Sequence, residues 1–470
     1  MTEATPAGFV LAPAPVEAPG AVLRGRYGLF AGGDWCEAAG GSVASIDPAN
    51  ERPLAEVGRA SPEDVERAVR GARRAYDKYW RKLRPAERAK HLFRLARAVG
   101  ERSGELALVQ SLDAGTPIRY GREHDLPQTL ATFFAYAGWA DKLPWAVRAG
   151  ERTRPLGVIA AIGAGHSPAL DAACAIAPAL AAGNAVVFVP SEATPLTALS
   201  LAQACLDADL PPGVVNIVTG DARTRAALLD HGDVDAVTLR GPRRQCIEVE
   251  RALAGMRKRA VARPVAGGSI FVFEDAPLEA AVEGIVRSVW LQRGPFAPDV
   301  VRLFVQESVL AETLDLLEER LRGIRHGDPL DENTDLGPLE TAERRDAVAA
   351  FVRRAVADGA SALASDASLP ERGFWYAPTV LRDVPGGPGS AAPCLPAMPL
   401  TSFRTAREAL DRAKGLGRAS GAGVWTSSGQ LAAFVAERLP AAAVWCNAYE
   451  RFDVGAHDGG ASGLRDLLHT

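Results

Sequence analysis

The sequence predicts an α/β fold built on two parallel sheets of the nucleotide-binding type. From Gly157 to Leu239, short apolar and β-branched runs alternate with helical runs of about 10 to 15 residues. Strands that are apolar on both faces and joined by helices are typical of right-handed βαβ crossovers. A second series of the same construction begins near Lys258 and continues to about Ala441. The predicted strands include VIAAIG (158–163), AVVFV (185–189), VVNIV (214–218), AVTL (236–239), SIFVF (269–273) and VRLFV (301–305).

Two amphipathic helices are predicted ahead of the first series. Ser61 and Pro62 supply a capping hydroxyl and a proline at the first helical position. Apolar residues then recur at helical spacing, and a second helix follows from about Pro85. These helices are expected to cover the first sheet. Residues 1–24 are interpreted as a flexible leader, and the proline- and glycine-rich run 385–393 as an irregular loop.

Composition and charge exclude several classes of function. The chain has 470 residues and a formal net charge of -4, so no global field attracts nucleic acid or an anionic membrane. Six cysteines and seven histidines are scattered without metal-ligand spacing, which predicts no metal site and reduced thiols in the cytoplasm. The most apolar stretch, residues 155–190, is too often interrupted by polar residues for a membrane span. A small-molecule or protein partner is expected.

Several segments along nearly the whole chain share one recognisable pattern. They are FAGGDW (30–35), DPAN (47–50), YAGWADK (136–142), IAPALAAGNAVVFVPSEATPLTALSLA (176–202), LPPGVVNIVTG (210–220), RLFVQES (302–308), GDPLDENTDLGPL (327–339), YAPTVLRDV (376–384) and GVWT (423–426). In order and spacing they resemble the aldehyde dehydrogenase superfamily. The resemblance implies an aldehyde dehydrogenase-like α/β fold, with two Rossmann-like parallel-sheet domains and an oligomerisation element. In that family a cysteine thiolate attacks the aldehyde, an asparagine holds the oxyanion, NAD(P) takes the hydride, and a glutamate activates water.

The resemblance implies that the family's catalytic positions are degenerate in this chain. Counting back from Arg302 places Ala297 at the position of the cysteine, and a methyl group is not a nucleophile. The position of the glutamate holds Arg263, which cannot accept a proton from water. The position of the asparagine holds His166, which can still donate one hydrogen bond. We therefore expect neither the thiol attack nor the hydrolytic step.

None of the six cysteines lies in the segment 291–301 that contains Ala297. Cys174 and Cys246 are the two whose family-equivalent positions border the cofactor or substrate region. Helix packing is the expected role of both, because a reduced cysteine usually behaves as a small apolar side chain.

The cofactor contacts implied by the resemblance are only partly kept. The position of the ribose-binding lysine holds Val189, and the segment that grips the nicotinamide ribose aligns with residues 395–399, which contain no carboxylate. We therefore expect no cofactor, although residual NAD(P) binding stays open. The positions left for such weak binding are Pro190, Glu192, Gly220 and Gly241.

The same resemblance divides the chain into domains. Residues 25–125 and 145–255 are assigned to a dinucleotide-binding domain, and residues 256–440 to a degenerate catalytic domain. Residues 126–144 and 441–470 are assigned to a reduced oligomerisation or bridging element, in which the tail lacks the family's usual final strand. Because such strands complete a neighbour's sheet, the usual homo-oligomer is in doubt.

The function predicted from these positions is that of a pseudoenzyme. It would be a structural or regulatory partner of an active aldehyde dehydrogenase homologue in a hetero-oligomer. The alternative is an NAD(P)-dependent oxidoreductase that acts on aldehydes with displaced catalytic residues. A serine-hydrolase elbow at residues 165–169 is disfavoured, because Pro168 has no backbone N–H to donate to an oxyanion. Arg263, Arg293 and His166 are expected to meet in one funnel and to bind a small anionic ligand.

Overall fold

Two seven-stranded sheets, each covered by helices, dominate the computed structural model, which describes residues 23–146, 153–165, 167–265, 267–291, 300–365, 368–384, 395–449 and 460–469. The strands are β1 (Arg26–Tyr27), β2 (Leu29–Ala31), β3 (Asp34–Cys36), β4 (Ser42–Ile46), β5 (Pro53–Gly58), β6 (Arg154–Pro155), β7 (Val158–Ile162), β8 (Ala185–Val189), β9 (Val215–Ile217), β10 (Ala236–Pro242), β11 (Arg259–Val265), β12 (Gly268–Val272), β13 (Val301–Gln306), β14 (Ser361–Ala364), β15 (Thr379–Arg382), β16 (Ala397–Phe403), β17 (Ala419–Trp425), β18 (Ala441–Cys446) and β19 (Leu468–His469).

The helices lie between these strands in the alternating order that the sequence predicts. They are α1 (Pro62–Lys78), α2 (Pro85–Glu101), α3 (Ser103–Ala114), α4 (Ile118–Tyr120), α5 (Leu126–Trp139), α6 (Pro168–Ala181), α7 (Leu196–Asp207), α8 (Ala222–Asp230), α9 (Arg243–Leu253), α10 (Leu278–Val286), α11 (Leu310–Arg322), α12 (Ala342–Ala357), α13 (Ala406–Gly415), α14 (Gly429–Ala436) and α15 (Gly460–Arg465). Short 3-10 or π turns occur at Trp80–Lys82, Gly121–Asp125, Leu143–Trp145, Arg287–Leu291 and Glu307–Val309.

The first sheet has the strand order β11-β10-β7-β8-β9-β2-β3. The five strands from β11 to β9 are parallel, whereas β2 and β3 are antiparallel additions at one edge. Alternate residues of β7 enter different cores: Ile159 and Ala161 pack with α6, and Val158 and Ala160 pack with α1. The apolar run VIAAI therefore forms a strand that is buried on both faces, as the sequence predicts.

The second sheet has the strand order β14-β15-β16-β13-β12-β17-β18. All its pairs are parallel except that of β14 with β15. Ile270 and Val272 of β12 enter one core, while Phe271 enters the other and stacks on Phe304 with ring centroids 4.8 Å apart. This division of alternate residues between two helical layers confirms the predicted α/β fold class.

The first predicted helix begins where the sequence places it. Ser61 Oγ accepts a hydrogen bond from Asp64 N at 3.2 Å, and Asp64 Oδ2 accepts one from Ser61 N at 3.0 Å. This reciprocal pair satisfies two backbone N–H groups, and such a cap stabilises a helix by about 1 kcal/mol. The proline at the next position removes no helical hydrogen bond, because a backbone N–H at the first helical position would have no acceptor within the helix.

The tail folds back onto the first half of the chain. β19 pairs with β6 in an antiparallel manner, and Asn184 Nδ2 donates to Leu467 O at 3.0 Å. Leu464 and Leu468 are fully buried in the core between the first sheet and α6. The tail thus forms a two-residue strand because the chain's own β6 offers it a partner, whereas the absence of the family's usual final strand stays a prediction.

The predicted domain boundaries stay a prediction, as does the oligomerisation role of residues 126–144 and 441–470. Residues 1–22 of the predicted leader and the predicted loop 385–393 lie outside the described residues. Within the described part of the chain, no helix is both long enough and apolar enough to cross a membrane. The cytoplasmic location stays a prediction.

Candidate active site at the edge of the first sheet

A pocket opens where the first sheet reverses its strand order. The chain runs from β7 to β8 and β9 on one side, and then adds β10 and β11 on the other. Ligands of parallel sheets bind outside the carboxyl ends of the strands at such a switch point. This cavity, called the switch-point pocket below, encloses about 540 Å³, part of it open to solvent. It is lined by Tyr136, Ile162, Asp171, Cys174, Ala175, Pro178, Thr238, Leu239, Arg240, Val261, Arg263, Gly463 and Leu467.

Two arginines stand side by side in the switch-point pocket. Arg240 on β10 and Arg263 on β11 are paired in the parallel ladder, so both side chains leave the same face of the sheet. Thr238 and Val261 form the preceding pair on that face. Arg263 donates through Nη2 to Asp466 Oδ2 at 2.8 Å, which ties the tail to β11. The pocket therefore has a cationic wall that a carboxylate of the tail partly balances.

Asp171 holds the loop that follows β7. Its Oδ2 accepts a hydrogen bond from Ala164 N at 2.8 Å, and Gly165 N lies 3.5 Å from the same oxygen. Gly165 has a φ of 94°, and a Cβ at this position would lie 2.6 Å from Ser191 Oγ. Glycine therefore allows the loops after β7 and β8 to approach each other closely.

Cys174 brings a thiol to the switch-point pocket. It lies one helical turn after Asp171 on α6, is half-buried and forms no disulfide. Cys246 is buried, its Sγ lies 3.6 Å from Gly241 O, and burial raises its pKa. Burial also raises the pKa of Cys205, to about 12. Helix packing therefore accounts for Cys246, whereas Cys174 is the thiol that the described fold brings to the pocket.

The four predicted cofactor positions follow or end strands of the first sheet. Pro190 and Glu192 follow β8, and the Glu192 side chain is exposed. Gly241 is buried near the carboxyl end of β10. Gly220 follows β9, and a Cβ there would lie 2.6 Å from Thr224 Cβ, so close packing on α8 requires a small residue. The role of these four residues in cofactor binding stays a prediction.

The helix α9 begins directly after β10, and no side chain caps its first turn. Arg243 and Arg244 are exposed in that turn. Backbone N–H groups at a helix N-terminus, together with nearby guanidinium groups, suit a phosphate. A carboxylate after β8, which is separated from β10 by β7, is supplied by Glu192 and suits the hydroxyls of a ribose. The residues at this edge of the sheet therefore fit a dinucleotide.

A second cavity, called the cleft pocket below, lies between the two α/β units and spans about 660 Å³, part of it open to solvent. Gly165 and Ser167 reach it from the first unit, and Trp290 and Leu291 reach it from the second. The loop after β7 thus borders both pockets. The other residues that line the cleft pocket are Ala114, Gly115, Thr116, Pro117, Tyr120, Leu336, Gly337, Pro338, Leu339, Glu340, Tyr376 and Pro396.

Asp125 forms a buried polar network behind the cleft pocket. Its Oδ2 accepts a hydrogen bond from Gln110 Nε2 at 2.6 Å, and the side chains of Ser167 and Tyr120 also hydrogen-bond to it. Burial raises the pKa of Asp125 to about 7. Ser167 and Tyr120 line the pocket, so two hydroxyl groups connect it to a carboxyl that titrates near neutrality. Sequence reasoning missed this network, whose one signal is an aspartate at the start of an apolar helix.

Three predicted site residues, Ala297, His166 and Arg293, lie outside the described residues. Their meeting with Arg263 stays a prediction. Among the described residues, the structure brings Arg240 and Asp466 to Arg263, and this proximity could not be predicted because only strand pairing and the path of the tail produce it. Among the residues that the structure describes, no three histidine, cysteine, aspartate or glutamate side chains are grouped so that they could hold a metal ion.

Comparison with known proteins decides the family. The model of the aldehyde dehydrogenase family matches residues 35–463. The chain belongs to the aldehyde dehydrogenase family. Betaine aldehyde dehydrogenase 2 of Rhizobium meliloti (strain 1021) is 34% identical over 431 residues, which are 90% of this chain and 89% of that protein. This similarity over nearly the full length of both proteins confirms the superfamily that the motifs indicate.

Solved structures share nearly the whole fold of this family member. The NAD⁺ complex of the aldehyde dehydrogenase from Bacillus cereus superposes with a TM-score of 0.89 at 27% identity, and 96% of each chain is covered. PnpE in complex with nicotinamide adenine dinucleotide superposes with a TM-score of 0.87 at 31% identity, covering 94% of this chain and 96% of that one. The aldehyde dehydrogenase fold predicted from the sequence is thus confirmed.

These findings overturn two expectations. The expectation of a pseudoenzyme is wrong, because relatives that match nine-tenths of the chain are named aldehyde dehydrogenases. The expectation of no cofactor is wrong, because structural neighbours are NAD complexes. The physical reason is that an alanine at one position, such as Ala297, removes a nucleophile from that position alone. It does not exclude a nucleophilic side chain elsewhere in the chain. Cys174, for which helix packing is the expected role, lines the switch-point pocket together with Arg240.

Proposed function

We propose that this aldehyde dehydrogenase family member is an NAD(P)-dependent oxidoreductase that acts on aldehydes with displaced catalytic residues. The switch-point pocket carries the proposal, because a thiol and two guanidinium groups line one cavity at the carboxyl ends of β7 and β10. The relatives named betaine aldehyde dehydrogenases and the neighbours with bound NAD support the same activity.

The cofactor would lie against the carboxyl ends of β8 and β10. The exposed carboxylate of Glu192 suits the ribose hydroxyls, and the uncapped first turn of α9 suits the pyrophosphate. When bound, NAD(P) supplies the hydride acceptor for oxidation or the hydride donor for reduction. Val189 stands where the family has a ribose-binding lysine, so we expect weaker cofactor binding than that lysine would give.

We assign the role of nucleophile to Cys174. Its sulfur forms a bond to the aldehyde carbon, the carbonyl electron pair moves onto oxygen, and the thiol proton leaves to solvent. After oxidation of that carbon, water adds to it and the C–S bond breaks, which releases the acid and restores the thiol. This assignment rests on the position of Cys174 in the wall of the switch-point pocket, on the same face of the sheet as Arg240 and Arg263.

The test is the absorbance at 340 nm of the purified full chain with NAD or NADP and a panel of aldehydes. We expect cofactor reduction with at least one aldehyde, and no signal when the aldehyde is omitted. The aldehyde dehydrogenase from Bacillus cereus serves as a positive control under the same conditions. If that enzyme turns over and this chain reduces neither cofactor with any aldehyde, the proposed function is refuted.

A further inference from the structure

We infer that Asp125 is a positioning residue for the proposed reaction, because it holds in place the loop after β7 and the first turn of α6, which form a wall shared by the two pockets. The inference rests on the proposed function and adds to it a residue outside the switch-point pocket. Asp125 is fully buried and is not among the described residues that line either pocket. It therefore acts on the reaction only through the groups that it holds.

The shared wall runs from the end of β7 into α6. Gly165 and Ser167 line the cleft pocket, whereas Asp171 and Cys174, further along α6, line the switch-point pocket. Asp171 N donates to Ser167 O at 2.9 Å, so the two pockets meet on one continuous helical turn. A shift at the start of α6 would therefore move groups in both pockets, and Cys174, the nucleophile of the proposed reaction, is one of them.

The start of α6 depends on contacts from other elements. Ser167 precedes the helix, but its side chain caps no backbone N–H of α6, and its φ of 45° lies in the left-handed region. This conformation is unfavourable for a residue other than glycine, and it persists only where the surrounding structure enforces it. The contacts that enforce it must come from outside the helix.

Asp125 and Gln110 supply such contacts from the turn before α5 and from α3. Gln110 Oε1 accepts a hydrogen bond from Ala169 N at 3.2 Å, which gives an acceptor to an N–H in the first turn of α6. Gln110 Nε2 donates to Asp125 Oδ2 at 2.6 Å, and this bond fixes which end of the amide faces the helix. The side chain of Ser167 also hydrogen-bonds to Asp125. One carboxyl group thus holds the loop and the start of the helix together.

The strength of this hold depends on the charge of Asp125. Burial raises its pKa from 3.8 to about 7, and no charged side chain among the described residues contributes to the shift. The groups that face the carboxyl are Gln110 from α3, the titratable Tyr120 from α4, and Ser167 before α6. Hydrogen bonds to an ionised acceptor are about twice as strong as those between neutral groups. The wall is therefore held more firmly above pH 7 than below it.

The first experiment removes the hold and measures turnover of the full chain. In Asp125→Ala and in Gln110→Met, kcat for aldehyde oxidation should fall about 10- to 100-fold, because a misplacement of about 1 Å can cost that much. KM for NAD should stay close to the wild-type value, because neither residue lies at the predicted cofactor positions. Where Asp125→Ala does not fold, Gln110→Met gives the same test, since methionine is similar to glutamine in size.

The matched control is Thr313→Val on α11, outside the lining of both pockets. Thr313 is fully buried, and its Oγ1 donates to Val309 O at 2.8 Å. This variant also loses a buried hydrogen bond, so its Tm should fall while its kcat stays at the wild-type value. A drop in kcat of the same size in the control would overturn the inference, because any loss of stability would then have the same effect.

The conservative variant Asp125→Asn gives a readout that a purely structural role would not move. It keeps the size of the side chain and an acceptor for Gln110, but it cannot ionise. The ratio of wild-type kcat to the kcat of Asp125→Asn should therefore rise about fivefold between about pH 6 and pH 8, on either side of the pKa. For Thr313→Val the corresponding ratio should be the same at both pH values. A ratio for Asp125→Asn that does not change with pH would refute the positioning role.

Hydrogen exchange separates this inference from the proposed function. The amide of Ala169, measured in a peptide that covers the start of α6, should exchange faster in Asp125→Ala and Gln110→Met than in the wild type and Thr313→Val. If exchange responds in this way but the wild-type chain oxidises no aldehyde, the proposed function fails and the hold on α6 stands. If exchange is unchanged, or if it is faster while kcat is unchanged, Asp125 is not a positioning residue.

Discussion

Both seven-stranded sheets reverse their strand order at one point, between β7 and β10 in the first sheet and between β12 and β17 in the second. At the carboxyl ends of β12 and β17, Thr426 Oγ1 donates to Asp275 Oδ1 at 2.6 Å, and Thr426 N donates to Asn447 Oδ1 at 3.0 Å. Short polar side chains thus close the second switch point. At the first switch point, by contrast, Arg240 and Cys174 line the switch-point pocket. Topology provides the same crevice twice, and side chains decide which crevice takes a ligand.

The largest expected effect comes from removing the thiol at the first switch point, between β7 and β10. Cys174→Ala should lower kcat for aldehyde oxidation by about 1,000-fold, or about 4 kcal/mol of activation free energy, because the nucleophile is lost. The matched control is Cys36→Ala, a half-buried cysteine outside both pockets, which should leave kcat unchanged. Turnover of Cys174→Ala at the wild-type rate would refute the covalent role and leave direct hydride transfer to the aldehyde or from the alcohol as the mechanism.

A buried carboxyl at the start of α7 makes stability depend on pH. Asp113 Oδ2 accepts a hydrogen bond from Leu196 N at 2.8 Å, and burial raises its pKa from 3.8 to about 7. Between about pH 4 and pH 7 the folded state holds a proton that the unfolded chain has released. The contribution of Asp113 to the free energy of unfolding is therefore complete below pH 4, and it is lost as the pH rises to 7.

Asp113→Asn should remove this part of the pH dependence. The free energy of unfolding should fall less between pH 4 and pH 7 than in the wild type, by on the order of 3 kcal/mol, as measured by urea unfolding at several pH values. Asp77→Asn, at a half-exposed surface position, is the control and should keep the wild-type slope. Equal slopes for Asp113→Asn and the wild type would show that Asp113 does not titrate in this range.

The packing of the tail against the first half of the chain can be weakened without changing the charges of the switch-point pocket. Leu468 is fully buried in β19, and Leu468→Ala should lower the free energy of unfolding by roughly 2 to 3 kcal/mol, because a cavity replaces the side chain. Leu206→Ala, at a position 36% exposed, should cost much less. Equal urea midpoints for the two variants would contradict the packing of the tail.

The smallest expected effect on stability comes from the second switch point, between β12 and β17. Thr426→Val removes the hydroxyl that donates to Asp275 and accepts from Ser428 N at 3.0 Å, which should cost about 1 kcal/mol in urea unfolding. Thr426→Ser keeps the hydroxyl and should retain most of that stability. Neither variant should change kcat/KM for an aldehyde, and a large change in this constant would mean that the second switch point takes part in the reaction.

Local pattern was enough to predict most of the fold. The runs at 158–163 and 185–189 form β7 and β8 with nearly the expected ends, because a strand buried on both faces must be apolar throughout. Ser61 and Pro62 predict the start of α1 because capping depends on neighbouring residues alone. Such features need no knowledge of distant contacts.

The candidate site was harder to predict because it depends on contacts between distant segments. Arg240 and Arg263 become neighbours only through strand pairing, and Asp466 reaches them only because the tail returns to β6. The structure shows that Arg263 lines the switch-point pocket, and its predicted place at the family's glutamate position stays a prediction. The prediction of an active homologue as partner stays a prediction.

The tail contact links ligand binding to completion of the fold. Gly463 and Leu467 line the switch-point pocket, and their neighbours Asp466 and Leu468 accept hydrogen bonds from β11, some two hundred positions earlier in the chain. Contacts over such separations form late, because a long loop must close first. A compound that fits this cavity would therefore recognise only chains that have finished folding, and it would act as a selective stabiliser of mature molecules during expression.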